Sequence, residues 1–202
     1  LAKTLLRSFT KFPNFNSIKK LFLFEESEYL RKIQKKRILN KDVKWINNFD
    51  EIKKGPVIFF GNEFFDAIPI KQFKKINNTL FEKNYFLDKK FKIKEIFKKA
   101  STQNIRIIKS YKTLKKLKFI EFPKLGFKEL KKITKKIVQL QGCILMIDYG
   151  YLKPNNQNTL QSVIKNKKNH LLQNLGEADI TSHVNFSLLK EFFMKNKCRV
   201  KK

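Results

Sequence analysis

Three short apolar runs in this chain end in the same way, in acids or amides, and that repetition limits the folds open to it. Leu21–Phe24 stops at Glu25, Val57–Phe60 runs into Gly61-Asn62-Glu63, and Cys143–Ile147 stops at Asp148. An apolar run of four or five residues bounded by turn formers is consistent with a buried strand. The polar groups that follow belong in loops, because a core does not bury them without partners. Between the runs the spacing is helical. Ser27 can cap a helix that carries Leu30 and Ile33 on one face and Lys32, Lys35 and Lys36 on the other. Val43–Ile46 reads as another short strand. Phe127, Leu130, Ile133, Ile137 and Leu140 form a stripe that leads through Gly142 into Cys143, itself read as a small buried core residue. Strands separated by helices predict an α/β sheet with parallel strands. Such sheets bind ligands beyond the carboxyl ends of their strands. Glu25, Asn62 and Asp148 are therefore expected along one edge of one sheet.

A second pattern interrupts the first. Lys71–Ile76 and Thr79–Phe86 alternate apolar and polar residues across Asn77-Asn78, which is the signature of a β-hairpin. A further strand is expected near Phe91–Phe97. The chain is thus read as a core of residues 1–68 and 100–202 interrupted by an inserted antiparallel hairpin region, 69–99.

Composition narrows the functional classes. The 202 residues are 42% hydrophobic with 21 Phe, enough for a packed core rather than a disordered chain. The net charge of +29 on its own suggests nucleic acid or an anionic membrane surface as partner. The lysines, however, recur from Lys19-Lys20 to Lys201-Lys202 among abundant Asn, Ile and Phe, the mixture that A- and T-rich codons produce. They read as a solvated surface, so no specific nucleic-acid partner is expected. No apolar run approaches the ~20 residues that span a bilayer, so membrane insertion is not expected either. Cys143 and Cys198 stand far apart without metal-ligand spacing, which argues against a disulfide framework or a zinc site and for a reducing compartment.

A resemblance rests on particular stretches. Phe24-Glu-Glu-Ser-Glu-Tyr-Leu-Arg-Lys-Ile-Gln34, Trp45, Gly61-Asn-Glu-Phe-Phe-Asp-Ala-Ile-Pro69, Ile147-Asp-Tyr-Gly-Tyr151, Thr159-Leu160 and Gly176-Glu-Ala-Asp-Ile-Thr-Ser-His-Val-Asn-Phe186 follow one another in order. This series resembles the MidA family of S-adenosylmethionine-dependent methyltransferases, relatives of the mitochondrial complex I assembly-factor arginine methyltransferase. The resemblance implies a class I, Rossmann-like methyltransferase sheet with an inserted hairpin region. It further implies S-adenosyl-L-methionine as cofactor and a protein substrate with a target arginine. It places the protein in the cytoplasm of a bacterium or the mitochondrial matrix of a eukaryote, and leaves the oligomeric state open. The six glycines form no GxG turn, and the chain starts at Leu1. It is therefore expected to be truncated at both ends, without the family's glycine-rich loop, and inactive alone.

Residue types then suggest roles. Guanidinium is planar and protonated at neutral pH, so a site must orient it and let a proton leave. Carboxylates grip its fork with two hydrogen bonds. Glu63 and Asp66 are the candidates, with Asn62 turned to the reacting nitrogen and Phe64 lining the cation. Asp66 also reads as the cap of the Ala67-Ile68 turn, and Phe65 as core. Glu25, with Glu26 as neighbour and alternative, can accept from ribose hydroxyls or simply charge a helix start. Asn47 and Gly61 complete the expected cofactor contacts, and Asp148, Tyr149 and His183 the substrate-positioning set; no metal is expected. Glu121 reads as a loop anchor. Two other classes fit less well: a nucleic-acid amino-methyltransferase that grips a flipped base, and a non-catalytic assembly factor that keeps the fold.

Overall fold

The computed structural model describes residues 2–9, 11–12 and 20–201. They fall into two compact units, Leu1–Lys54 and Gly55–Lys202. In the first, α1 (Ala2–Phe9) precedes β1 (Leu21–Phe24), α2 (Glu28–Arg37) and β2 (Val43–Ile46). β1 and β2 run parallel, from Leu21 opposite Val43 to Phe24 opposite Ile46. The Ser27 side chain caps α2 by accepting from the Leu30 amide at 3.3 Å, and Lys35, Lys36 and Arg37 lie at its negative end. Val43 and Ile46 are buried, whereas Leu30 is exposed and Ile33 half-buried, so the apolar stripe of α2 is only partly covered.

The second unit begins with β3 (Ile58–Asn62), and β8 (Cys143–Ile147) lies beside it in parallel. β3 starts one residue later than the apolar run suggests and continues through Gly61 and Asn62. The ladder decides this, because Asn62 still has a partner in Ile147. β8 is not the buried strand expected. Cys143 is exposed, and Leu145 and Ile147 are 49% and 51% exposed. The alternation is that of a strand covered on one face: Ile144 and Met146 lie half-buried on one side, while Cys143, Leu145 and Ile147 alternate to the other, exposed side.

Between them lies an antiparallel sheet in the order β6-β5-β4-β7: β4 (Lys71–Ile76), β5 (Thr79–Leu87), β6 (Ile93–Lys99) and β7 (Phe119–Phe122). Asn77 and Asn78 turn the first hairpin with φ of 44° and 62°, the left-handed geometry that suits the twist of paired strands. The third strand runs two residues later than expected, because the Asp88–Lys92 turn delays its start. The antiparallel material also extends past residue 99, since β7 pairs with β4 from Phe119 to Phe122.

α3 (Thr102–Ser110) and α4 (Lys124–Gln139) flank β7 in the chain. α4 buries Phe127, Leu130, Ile133 and Ile137, as its spacing predicts. Phe127 is the hub of an aromatic core. Its ring centroid lies 4.4 Å from Phe192, 5.3 Å from Phe122, 5.7 Å from Tyr111 and 6.2 Å from Phe65.

After β8 come β9 (Gly150–Tyr151), β10 (Gln161–Ile164), β11 (Lys167–Asn169), β12 (Asp179–Thr181), β13 (Val184–Asn185) and α5 (Phe186–Lys195). The β10–β11 hairpin has no counterpart in the expectations. Its turn, Lys165-Asn166, takes φ of 49° and 60°. β10 also pairs with β12.

Candidate active site

In the first unit, the ends of β1 and β2 are tied by Arg31. Its guanidinium donates to the Glu25 carbonyl at 2.8 Å, to the Ile46 carbonyl at 3.3 Å and to Asn47 Oδ1 at 2.6 Å. The Glu25 carboxylate is held as well: one oxygen accepts from the Ser27 amide and the other from Gln34 Nε2, each at 3.0 Å. Gln34 in turn accepts from the Trp45 indole at 2.9 Å. Each Glu25 oxygen keeps a lone pair for a hydroxyl. Asn47, with its carbonyl engaged by Arg31, keeps its amide hydrogens. Glu26 is exposed. Arg31 and Gln34 had no role in the sequence reading, although both fall within the stretch Phe24–Gln34; their spacing from Glu25 was the available signal.

In the second unit, three separated stretches meet at the carboxyl ends of β3 and β8. Glu63 leaves β3 with φ of 46°, a left-handed conformation that costs a bulky residue about 1–2 kcal/mol. It is held there by its own amide, which donates to the Ile147 carbonyl at 2.9 Å. Asp148 braces the same turn, accepting from the Phe65 amide at 2.7 Å and from the Tyr149 amide at 2.9 Å. The Ser182 amide donates to the Asp66 carbonyl, and the Val184 amide to the Tyr149 carbonyl. Gly150 is needed at this junction. A Cβ there would stand 2.1 Å from the Val184 carbonyl oxygen.

Asn62, Glu63 and Tyr149 are exposed, and Phe64 is half-buried, its ring T-shaped to that of Phe59 at 6.0 Å between centroids. Phe65 is buried as expected, at 4% exposure. Gly61 is buried, and a Cβ on it would meet Phe64 Cβ at 3.4 Å. Glu25 belongs to the other unit, and β1–β2 and β3–β8 are separate ladders among the described strands; the single edge expected for Glu25, Asn62 and Asp148 is not drawn by strand pairing.

His183 is exposed, and its amide donates to Thr159 Oγ1 at 3.0 Å. Thr159 is fixed by Glu121, whose carboxylate accepts from both the Thr159 hydroxyl and the Thr159 amide. The Leu160 amide and Gln72 Nε2 also donate to Glu121. Glu121 is thus the loop anchor expected, and Thr159 is the link to His183 that the sequence reading left without a role. Among the described residues, no group of three or more His, Cys, Asp or Glu could hold a metal ion. No helix among them is long and apolar enough to cross a membrane.

The Asp66 carboxyl is pushed above the ordinary aspartate range, first by burial, then by the charges of Asp148 and Glu63, against the opposing pull of the Ala67 amide. A carboxyl with a raised pKa binds its proton more tightly in the folded state. Its contribution to stability is therefore present at acid pH and lost as pH rises through the raised value. Asp66→Asn should remove that loss. Its melting temperature is expected to match wild type near pH 4 and exceed it by about 1–3 °C at pH 7, the scale of relieving one near-surface like-charge contact. In a chain of net charge +29, removing an acid would otherwise be expected to destabilise. Thermal melts across that pH range decide the sign.

Solved structures share this fold. A COG1565 superfamily member from Burkholderia thailandensis, bound to S-adenosyl-homocysteine, superposes with a TM-score of 0.70 at 18% identity, over 88% of this chain and 48% of that one. A native structure of a COG1565 protein from the same organism gives 0.70 at 17%, over 88% and 50%. The fold is that of these two COG1565 proteins. By sequence, the chain belongs to the family described as "Putative S-adenosyl-L-methionine-dependent methyltransferase", whose model matches residues 1–202. This is the MidA-like family of the resemblance, and its cofactor is S-adenosyl-L-methionine.

Among curated proteins the chain is similar to the mitochondrial protein arginine methyltransferase NDUFAF7 homolog of Caenorhabditis elegans, 28% identical over 81% of this chain and 38% of that protein. It is also similar to NDUFAF7 of Danio rerio, 24% identical over 73% of this chain and 35% of that protein. The chain thus spans little more than a third of the length of these relatives.

The residues present fit part of the cofactor. Glu25 offers oriented acceptors of the kind a ribose diol requires. No GxG turn occurs in the sequence to approach the rest of it.

Proposed function

We propose that the protein methylates arginine in a protein substrate, with Asn62, Glu63 and Asp66 as its catalytic residues. The observation that carries this reading is the gathering of Glu63, Asp66 and Asp148 where β3 and β8 end, in a chain otherwise dominated by lysine. A cluster of carboxylates suits a cationic substrate and opposes a polyanion, which favours arginine over a nucleic-acid base. S-adenosylmethionine supplies an activated methyl on a sulfonium when bound. The protein's own task is alignment. Glu63 accepts the guanidinium fork, Asn62 orients the reacting nitrogen, and Asp66, with its raised affinity for a proton, takes up the proton that leaves. Phe64, Tyr149 and His183 position the substrate around them, and Asp148 sets the turn that carries Glu63. Glu25 holds the ribose, with Glu26 and Asn47 completing the first unit's cofactor contacts.

The proposal extends to the family's setting: complex I assembly, in the mitochondrial matrix of a eukaryote or the cytoplasm of a bacterium. The NDUFAF7 proteins support a protein substrate by their names. Because the match covers only part of their length, activity is assayed on protein of that length; the 202 residues alone are expected to be inactive.

Calorimetric titration with S-adenosylmethionine tests the cofactor half. Glu25→Gln should weaken binding by roughly 10- to 100-fold, the cost of one charge-assisted contact. Unchanged affinity, in a variant whose melt shows an intact fold, would remove Glu25 from the site. Transfer of radiolabelled methyl to arginine, identified by hydrolysis of the product, tests the substrate. Label appearing only on lysine or nucleic acid would refute the arginine assignment.

A further inference from the structure

β5 and β6 continue well past the sheet they belong to. β4 pairs with β5 only from Thr79 to Glu82, whereas the β5–β6 ladder runs on to Leu87 opposite Ile93. Beyond Glu82 the two strands form a ribbon of their own, and apolar side chains are exposed on both of its faces. Phe86 is 45% exposed, Leu87 64% and Phe91 86%. Two-stranded ribbons are marginal in water, and exposed apolar tips stabilise none of them.

Phe91 is the least explained residue of all. It takes φ of 54°, where Gly or Asn would sit without strain, and it buries almost nothing in return. The turn itself is well made without it. Asp88 Oδ1 accepts from the Lys90 and Lys92 amides, each at 2.9 Å, and the Asp88 amide donates to the Lys92 carbonyl.

Charge surrounds this tip. Residues 83–99 hold seven lysines against Asp88 and Glu95. Both acids already have partners: Asp88 closes the turn, and Glu95 pairs with Lys83 at 2.7 Å. Lys89, Lys90, Lys92 and Lys94 are exposed next to the apolar tip. Lysines alone would be the ordinary protection of an edge strand. They do not account for the aliphatic pair Leu87–Ile93 or for Phe91.

The geometry points to an arm that docks on an anionic lipid surface, with Leu87, Phe91 and Ile93 entering the headgroup–acyl boundary and the lysines resting on lipid phosphates. Apolar residues in the boundary with cationic ones above them are what interfacial binding requires. Single-stranded RNA shares the charge requirement and would find stacking faces on Tyr85, Phe86 and Phe91, but it gains nothing from the aliphatic pair Leu87–Ile93 at the apex, which a lipid boundary buries. The inference is independent of the methyl-transfer reading, since the arm lies outside the residues assigned to it.

Vesicle co-sedimentation tests it on the whole chain, with phosphatidylcholine vesicles with and without phosphatidylglycerol. Binding is expected only to the anionic vesicles and is expected to weaken with salt. Leu87→Ser with Phe91→Ser should lower the partition coefficient by roughly tenfold or more, and Lys89→Gln with Lys90→Gln and Lys92→Gln by roughly 100-fold. Phe91→Trp gives a direct readout, because its emission, added to that of Trp45, should shift to the blue on binding. These positions lie outside the buried core, and a melt verifies each fold. Serine variants that bind like wild type would show adsorption of a polycation and overturn the proposal. So would an emission spectrum of Phe91→Trp that vesicles leave unshifted, or a shift produced by polyuridine and not by vesicles.

Discussion

In protein of the relatives' full length, replacing Glu63 with Gln is expected to cut methyl transfer by roughly 30- to 1,000-fold while S-adenosylmethionine binding stays nearly unchanged. The substitution keeps the shape of the side chain and removes one charge-assisted contact to guanidinium, worth on the order of 2–4 kcal/mol at the transition state. The backbone hydrogen bond that holds residue 63 in its left-handed turn uses the amide and survives the change. A fall in rate with an intact melt therefore reports on chemistry. Glu25→Gln should show the reverse order of effects, weakening the cofactor first, and the two variants together separate binding from transfer. Normal turnover by Glu63→Gln would make the Gly61–Pro69 turn purely structural.

Phe127→Ala is expected to cost about 3–5 kcal/mol, the range for deleting a large aromatic from a core. Phe127 is only 6% exposed and stands among Phe65, Tyr111, Phe122 and Phe192, so the cavity left behind has four ring neighbours that cannot all collapse into it. Phe65 couples this loss to the candidate site, because it follows Glu63 and Phe64 and its amide is one of the two that donate to Asp148. Denaturant unfolding should show the midpoint falling for Phe127→Ala, and far less for Phe127→Leu, which keeps most of the volume. A loss near 1 kcal/mol for alanine would mean that the aromatic cluster is loosely packed and does not anchor the turn.

Local pattern sufficed wherever neighbouring residues along the chain decide the outcome. Ser27 caps α2, Asn77-Asn78 turns β4 into β5, and the three-and-four spacing from Phe127 to Ile137 buries one face of α4; each depends on a few adjacent φ/ψ choices or on helical periodicity. The motif Gly61–Pro69 was also legible, since an apolar run that breaks into an amide and two acids has no ordinary core explanation. Tertiary structure decided what depends on partners distant in sequence. Only the ladder to β8 carries β3 through Asn62, and only the packing of one face of β8 and not the other leaves Cys143 in solvent instead of in the core. Asp148 meets Phe65 across 83 positions, and Glu121 meets Thr159 across 38, to hold His183 in place. A carboxylate shielded from water takes whichever amides the fold brings to it, and nothing in the spacing of either residue says which those will be.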